Sequence, residues 1–225
     1  MSAHETHTHD APTTSGRTIS WASLYDALVW LISFGRGRNV RQAILALAEI
    51  NPGDKLLDVG CGTGDLGIAA LAIAGPTGEV HGIDASPQMI AVARQKAARA
   101  NLDIRFEVDV IESLSFPDDH FDIVTSTLMM HHLPNDLKRK GLAEMYRVTK
   151  PGGRILIVDI ESSRGGSLGQ RLSDLMIHLH GGHSAMQDNV QKLLPFVEDA
   201  GFTGTETQRI GRQYSAMTAQ KTVSR

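Results

Sequence analysis

Three carboxylates, Asp58, Asp84 and Asp109, stand at the ends of three short apolar runs in the first half of the chain. The first lies in Leu57-Asp-Val-Gly-Cys-Gly-Thr-Gly-Asp-Leu-Gly67, a glycine-rich turn between a strand-like run and an alanine-rich helical one. Gly60, Gly62 and Gly64 bear no side chains, so their amides are expected to approach a ligand closely. The spacing is G-x-G-x-G rather than G-x-G-x-x-G, and no G-K-[ST] follows. Asp58, two residues before Gly60, would repel a pyrophosphate but suits an ammonium or sulfonium ion. That charge argument favours S-adenosylmethionine (SAM) over a dinucleotide. Asp84 lies 84 − 64 = 20 residues beyond the last glycine, where a carboxylate can bridge two ribose hydroxyls. Asp109, followed by Val110, can accept from an exocyclic amine beside an apolar contact, which would read adenine. Each acid alone is equally a helix cap; together they match an amine, a diol and a purine. Cys61, Ala85, Met89 and Thr125 complete the expected cofactor contacts, with Cys61 packed under the turn rather than acting as a nucleophile.

Methyl transfer from a sulfonium is an in-line displacement with a neutral leaving group. It needs an aligned acceptor and, for some acceptors, a base. Candidates follow the fourth and fifth strand-like runs. His131 and His132, in Met129-Met-His-His-Leu133, can act as base or can order the loop through a backbone bond. Asp159, and Glu161 beyond it, can orient an acceptor or cap the next segment. Met129 and Met130 read as pocket packing. Tyr25, Met129, His178, His180 and His183 are the expected substrate-side residues. The last three, in Ile-His-Leu-His-Gly-Gly-His183, suit lid lining, surface packing or a weak zinc set. On a helix 178 and 180 point apart, so no metal is assigned. Lys138-Arg-Lys140 reads as a solvated helix face.

These residues need a scaffold that brings strand ends together. The chain has 225 residues, 41% hydrophobic and 21% charged, which excludes a wholly disordered protein and suits one elaborated domain. The 22 basic and 25 acidic residues give −3, with no basic excess for wholesale nucleic-acid binding. One cysteine excludes an internal disulfide and a cysteine-based zinc cage. Residues 1–17 read as a disordered His-rich tail without a secretory h-region, and residues 18–225 as one domain. The longest apolar stretch, 27–34, is too short to span a bilayer, so a soluble, cytoplasmic protein is expected. Two N-terminal helices fall within 18–50, the second on the stripe Val40, Ala43, Ile44 and Leu47. Strands are expected at 55–59, 79–83, 104–108, 121–125 and 154–158, with helices between them. Pro151-Gly-Gly153 reads as a turn. A helical lid is expected at 165–186, a helix at 190–200 that Pro195 either starts or kinks, and two final strands at 203–208 and 214–221. Alternating strands and helices predict an α/β fold, a Rossmann-like parallel sheet covered on both faces.

The chain resembles the class I SAM-dependent methyltransferases from about residue 20 to 222. The resemblance rests on Leu57-Asp-Val-Gly-Cys-Gly-Thr-Gly64, Gly82-Ile-Asp84, Asp109, Phe116-Pro-Asp-Asp-His-Phe-Asp122, Arg147-Val-Thr-Lys-Pro-Gly-Gly-Arg154 and Ala200-Gly-Phe202. It implies a seven-stranded sheet with the last strand antiparallel. Tyr25-Asp26 and Ser33-Phe-Gly-Arg-Gly-Arg38 resemble the start of ubiquinone and menaquinone C-methyltransferases, which tend to carry Arg-Asn where this chain has His131-His132. Thr125-Ser126-Thr127-Leu128 lacks the Asn/Asp-Pro-Pro-aromatic loop of base methyltransferases in this family. A small, largely apolar acceptor is therefore expected, a phenol or quinol methylated at carbon or oxygen. The alternatives are an amine or phospholipid head group, and a non-catalytic SAM-binding module. No nucleic-acid partner, at most peripheral membrane contact, and a monomer or homodimer are expected.

Overall fold

The structure is a computed structural model and describes residues 37–161, 190–211 and 213–223. The His-rich tail, the first N-terminal helix and the lid expected at 165–186 lie outside them.

Five parallel strands form the first part of the sheet: β1 Lys55–Val59, β2 Glu79–Asp84, β3 Arg105–Val108, β4 Phe121–Thr127 and β5 Thr149–Ile160. Two further strands, β6 Thr203–Ile210 and β7 Tyr214–Gln220, complete the order β3-β2-β1-β4-β5-β7-β6. β7 runs antiparallel to both neighbours, as the family resemblance implied. The helices are α1 Gly37–Ala48, α2 Asp65–Ala74, α3 Pro87–Arg99, α4 Asn135–Val148 and α5 Leu194–Asp199. The strand order reverses between β1 and β4, and the carboxyl ends flanking such a switch point open the crevice where ligands bind in α/β sheets.

Alternation along the strands sends successive side chains to two cores. Leu57, Val59, Val124, Ile155 and Ile157 pack with Leu142, Met145 and Val148 of α4 and with Val197 and Phe202. Leu56, Val80, Ile123, Leu156 and Val158 pack on the other face with Ile44 and Ala48 of α1 and Leu66, Ala70 and Ala74 of α2. With both faces covered, the inner strands read as continuous apolar runs. The alanines of α2 let its backbone lie close to the sheet. Ser86 caps α3, its hydroxyl accepting from the Met89 amide, and Pro87 follows in the first turn.

One expectation is corrected, and one alternative is resolved. Pro151-Gly-Gly153 is no turn but an irregularity inside β5: Thr149 pairs with Phe121 and Arg154 with Ile123. The extra residues bulge toward the C-terminal segment, where the Gly152 amide donates to the Lys221 carbonyl and the Lys221 amide to Gly153. The helix expected over 190–200 is divided into a 3₁₀ turn, Val190–Leu193, and α5, because Pro195 has no amide to donate and sits in the first turn of the α-helix. Among the described residues no helix is long and apolar enough to cross a membrane.

Candidate active site

The glycine-rich turn leaves β1 at the switch point and enters α2. Gly60, Gly62 and Gly64 all hold positive φ, at 74°, 53° and 82°, a region that side chains disfavour. A Cβ on Gly60 would lie 2.6 Å from Met129 Cγ, and one on Gly64 2.6 Å from Phe106 Cζ. Two of the three glycines therefore make room for the protein's own side chains as well as for a ligand. Gly82 on β2 does the same, a Cβ there falling 2.6 Å from Phe106 Cδ1. Phe106, fully buried on β3, is the wedge against which the turn is moulded.

The turn's amides are also not offered outward as the sequence suggested. Those of Gly60 and Cys61 donate to the Ile83 carbonyl, at 2.8 Å each, and that of Gly64 to the Cys61 carbonyl. The Gly62 amide donates to Asp84 Oδ2 at 3.0 Å. The first turn of α2 carries Asp65, clamped by Arg41 of α1 and Lys96 of α3 at 2.8 Å each. A closed set of donors with a carboxylate at the helix start is the opposite of an anion cradle.

What the turn does offer is negative. Asp58 is fully buried. Its Oδ1 accepts from the Thr125 hydroxyl at 2.9 Å, and its Oδ2 has no partner. Burial, partly offset by the Thr125 bond and reinforced by the nearby Asp84 charge, pushes the Asp58 carboxyl up to about 7. Asp84 is also raised, by burial first, although its two oxygens accept from the Gly62 and Ser86 amides. A fully buried Asp58 and a half-buried Asp84, both with unused lone pairs, fit a ligand that brings an ammonium and hydroxyl donors, as SAM does. Asp109 is buried next to Val110, accepting from the Val110 and Ser115 amides at 2.9 and 3.0 Å. It orders its loop first, and one lone pair on each oxygen is left for a purine amine.

Cys61 is buried against Ile90, Ala93, Ala97 and Phe106, with its thiol pushed well up by burial, so it packs and is no thiolate. Met89 is buried at the start of α3, and Ala85 precedes the Ser86 cap half-buried.

Beyond β4 a 3₁₀ turn, Met130–His132, carries the histidines. His131 is buried, and Asp159 at the end of β5 holds it twice: the His131 amide donates to Oδ2 at 2.9 Å, and Nδ1 meets Oδ1 at 2.5 Å. The Ile160 amide fixes the same Oδ1 at 2.8 Å. The His132 ring lies against His131, tilted by 43°, with ring centroids 3.9 Å apart. His131 and Asp159, 28 positions apart in sequence, thus form one pair beside the switch point, with Met129 packed over Gly60. An imidazole that donates through Nδ1 to a carboxylate keeps its acceptor lone pair on Nε2. Glu161 is drawn away by Arg209, 2.9 Å distant on β6.

Lys138 corrects the reading of a solvated basic face. It is buried on the inner side of α4 with Leu137, Gly141, Leu142 and Met145, and only Arg139 and Lys140 are exposed. Tyr25, His178, His180 and His183 lie outside the described residues. Sequence reasoning passed over Asp65 and Phe106. Asp65 had a usable signal, a carboxylate directly after the last motif glycine. Phe106 had none, because an aromatic in an edge strand is ordinary.

Residues 56–153 match the family described as Methyltransferase domain. The chain is 37% identical over 152 residues to the ubiquinone/menaquinone biosynthesis C-methyltransferase UbiE of Burkholderia ambifaria, covering 68% of this chain and 62% of that protein. It therefore spans under two thirds of that relative's length. Among solved structures, a SAM-dependent methyltransferase from Aquifex aeolicus superposes with a TM-score of 0.62 at 22% identity, over 80% of this chain and 89% of the other. Phosphoethanolamine N-methyltransferase 2 of Haemonchus contortus, in complex with SAM, gives a TM-score of 0.68 at 18% identity, over 92% of this chain and 61% of that one. These two likenesses show the fold.

Proposed function

The chain belongs to the class I SAM-dependent methyltransferases, and on that premise we propose that it methylates a small, largely apolar acceptor, a phenol or quinol at carbon or oxygen. The acceptor class rests on the buried His131–Asp159 pair beyond β4 and β5 and on the UbiE likeness; the cofactor rests on the polarity of the β1 turn. Its donors at Gly60, Cys61, Gly62 and Gly64 are closed by the protein, while Asp58 keeps a buried carboxylate oxygen without a partner. Such a site repels phosphate and draws a cation.

Asp58, oriented by Thr125, would receive the α-ammonium of SAM. Asp84 would receive the ribose hydroxyls, and Asp109 with Val110 the adenine edge. When bound, the cofactor supplies a methyl group on a sulfonium whose leaving group is neutral, so no acid is required. The chain's own contribution is alignment and a base. Asp159 fixes His131 with Nδ1 toward the carboxylate, so Nε2 can take the proton of a phenol or quinol. The likeness to the UbiE protein, named for quinone biosynthesis, supports a quinol acceptor. The proposal extends to a cytoplasmic monomer or homodimer that takes no nucleic acid.

S-adenosylhomocysteine release should be measured over a panel of quinols, phenols, small amines and phosphoethanolamine. Turnover confined to quinols or phenols is the expected result. Turnover of amines alone would overturn the acceptor class. SAM binding with no turnover of any acceptor would point to a non-catalytic SAM-binding module.

A further inference from the structure

The amino-terminal edge of the sheet, opposite the strand ends that form the candidate active site, carries a second cluster of ligating side chains. Glu79 opens β2, His81 follows it on the same strand, and His120 directly precedes β4. Each offers one ligand atom, and the three atoms all lie within 4.8 Å of one another. Glu79 Oε1 is 2.6 Å from His81 Nε2 and 3.9 Å from His120 Nε2. A tetrahedral zinc ion with bonds of about 2.0–2.1 Å needs ligand atoms roughly 3.3 Å apart. Separations of 2.6 and 3.9 Å bracket that spacing. Small rotations of two partly exposed side chains, Glu79 and His120, would close the difference.

The surroundings suit a cation in most respects. The His81 side chain is only 5% exposed, and its ring is fixed edge-on to Phe116 and Phe121 at centroid distances of 5.3 and 5.6 Å. These rings orient the imidazole in place of the hydrogen bond that usually does so, since His81 Nδ1 has no partner. The His120 ring, partly exposed, faces the same carboxylate oxygen from the other side. Lys55 Nζ lies 2.8 Å from Glu79 Oε2. Lys55 opposes a dication. It engages the other carboxylate oxygen and leaves Oε1 to the histidines.

The geometry points to a zinc site formed by Glu79, His81 and His120, open to solvent at its fourth position, which ties the start of β2 to the entry of β4 across β1. Two imidazoles and one carboxylate are a donor set that zinc favours over magnesium or calcium.

The test is a titration of the full chain with zinc chloride against a chromophoric chelator. The chain has 10 histidines, and six of them, at positions 4, 7, 9, 178, 180 and 183, could bind zinc independently. The background is therefore a variant with those six changed to Gln. It should keep one zinc equivalent. Adding His120→Ala or Glu79→Gln should weaken that site at least as much as losing an orienting partner does, about 10–100-fold. Lys55→Gln should tighten it. Relative to that background, the changes at His120, Glu79 and Lys55 should leave cofactor affinity unchanged, because the strand ends at the opposite edge are untouched. Loss of zinc binding in the six-histidine background, or full affinity retained in His120→Ala, would overturn the proposal. Because His120 and Glu79 are only partly buried, both variants should fold, and circular dichroism checks that they do.

Discussion

Asp58 makes ligand binding a proton-releasing event with a calculable size. Its carboxyl is pushed up to about 7 by burial. At pH 6 it is therefore about nine-tenths protonated, and at pH 8 about one-tenth. An arriving ammonium requires the carboxylate, so binding at pH 6 must expel about 0.9 proton and at pH 8 about 0.1. The same linkage tightens binding about tenfold between those pH values. S-adenosylhomocysteine is the suitable probe, because it keeps the α-ammonium and lacks the sulfonium charge. Calorimetric titration in buffers of different ionisation enthalpy reads the protons directly. Asp58→Asn preserves shape and leaves a group that can still meet Thr125. It should bind more weakly at pH 8 and exchange almost no protons at pH 6. Equal proton release in wild type and Asp58→Asn would refute the assignment of the ammonium to Asp58. So would an affinity that does not change between pH 6 and 8.

The same carboxyl sets a pH dependence of folding. With its folded value raised from 3.8 to about 7, the native state holds the extra proton, so stability should fall as pH rises from about 4 to about 7 and then level. The upper bound is about 4 kcal/mol; Asp58→Asn should remove this contribution in urea titrations across that range. Asp84→Ala removes the acceptor for the Gly62 and Ser86 amides and for the ribose, each bond to a charged group contributing about 1.5–3 kcal/mol. SAM affinity should fall more than tenfold; a change under twofold in calorimetry would make Asp84 a loop tie alone. Asp159→Asn should lower kcat by roughly 10²–10⁴ and leave SAM affinity unchanged, since it releases the His131 ring without touching the β1 turn. Parallel losses of SAM affinity and thermal stability would instead mark the pair as structural. Gly64→Ala should cost about 1–3 kcal/mol through contact with Phe106 and Ala93, and Phe106→Leu should recover part of it; strictly additive losses in a double-mutant cycle would disprove the wedge.

Much of this architecture was legible because the signals are local. β1 begins and ends where its apolar run does, and the antiparallel β7 followed from the family resemblance. Signals failed where a distant partner decides. Pro151-Gly-Gly153 carries turn chemistry, yet pairing with Lys221 draws it into β5. Lys138 belongs to a charged run, yet helical periodicity places it on the buried face of α4 with Gly141, Leu142 and Met145. His131 and Asp159 were each suspected, but their mutual contact could not be read from positions 28 apart; it needed β4 and β5 to end side by side.

The glycine motif shows why a sequence pattern can name a ligand correctly for an incomplete reason. Open amides alone would have suited a phosphate equally well; the glycine spacing, the missing G-K-[ST] and above all Asp58 argued otherwise. In the folded turn the amides are consumed by Ile83, Asp84 and Cys61, and Phe106 fills the space that side chains at 64 and 82 would occupy. The glycines are thus fixed by packing and by backbone conformation before any ligand arrives. What remains free is charge: a carboxylate oxygen on Asp58 without a partner, and Asp84 close enough to raise it. A fully buried Asp58 beside a half-buried Asp84 is costly to ionise, which is why the Asp58 carboxyl is raised. An arriving ammonium offsets that cost and a phosphate would add to it, so the pattern selects its cofactor through charge more than through open space.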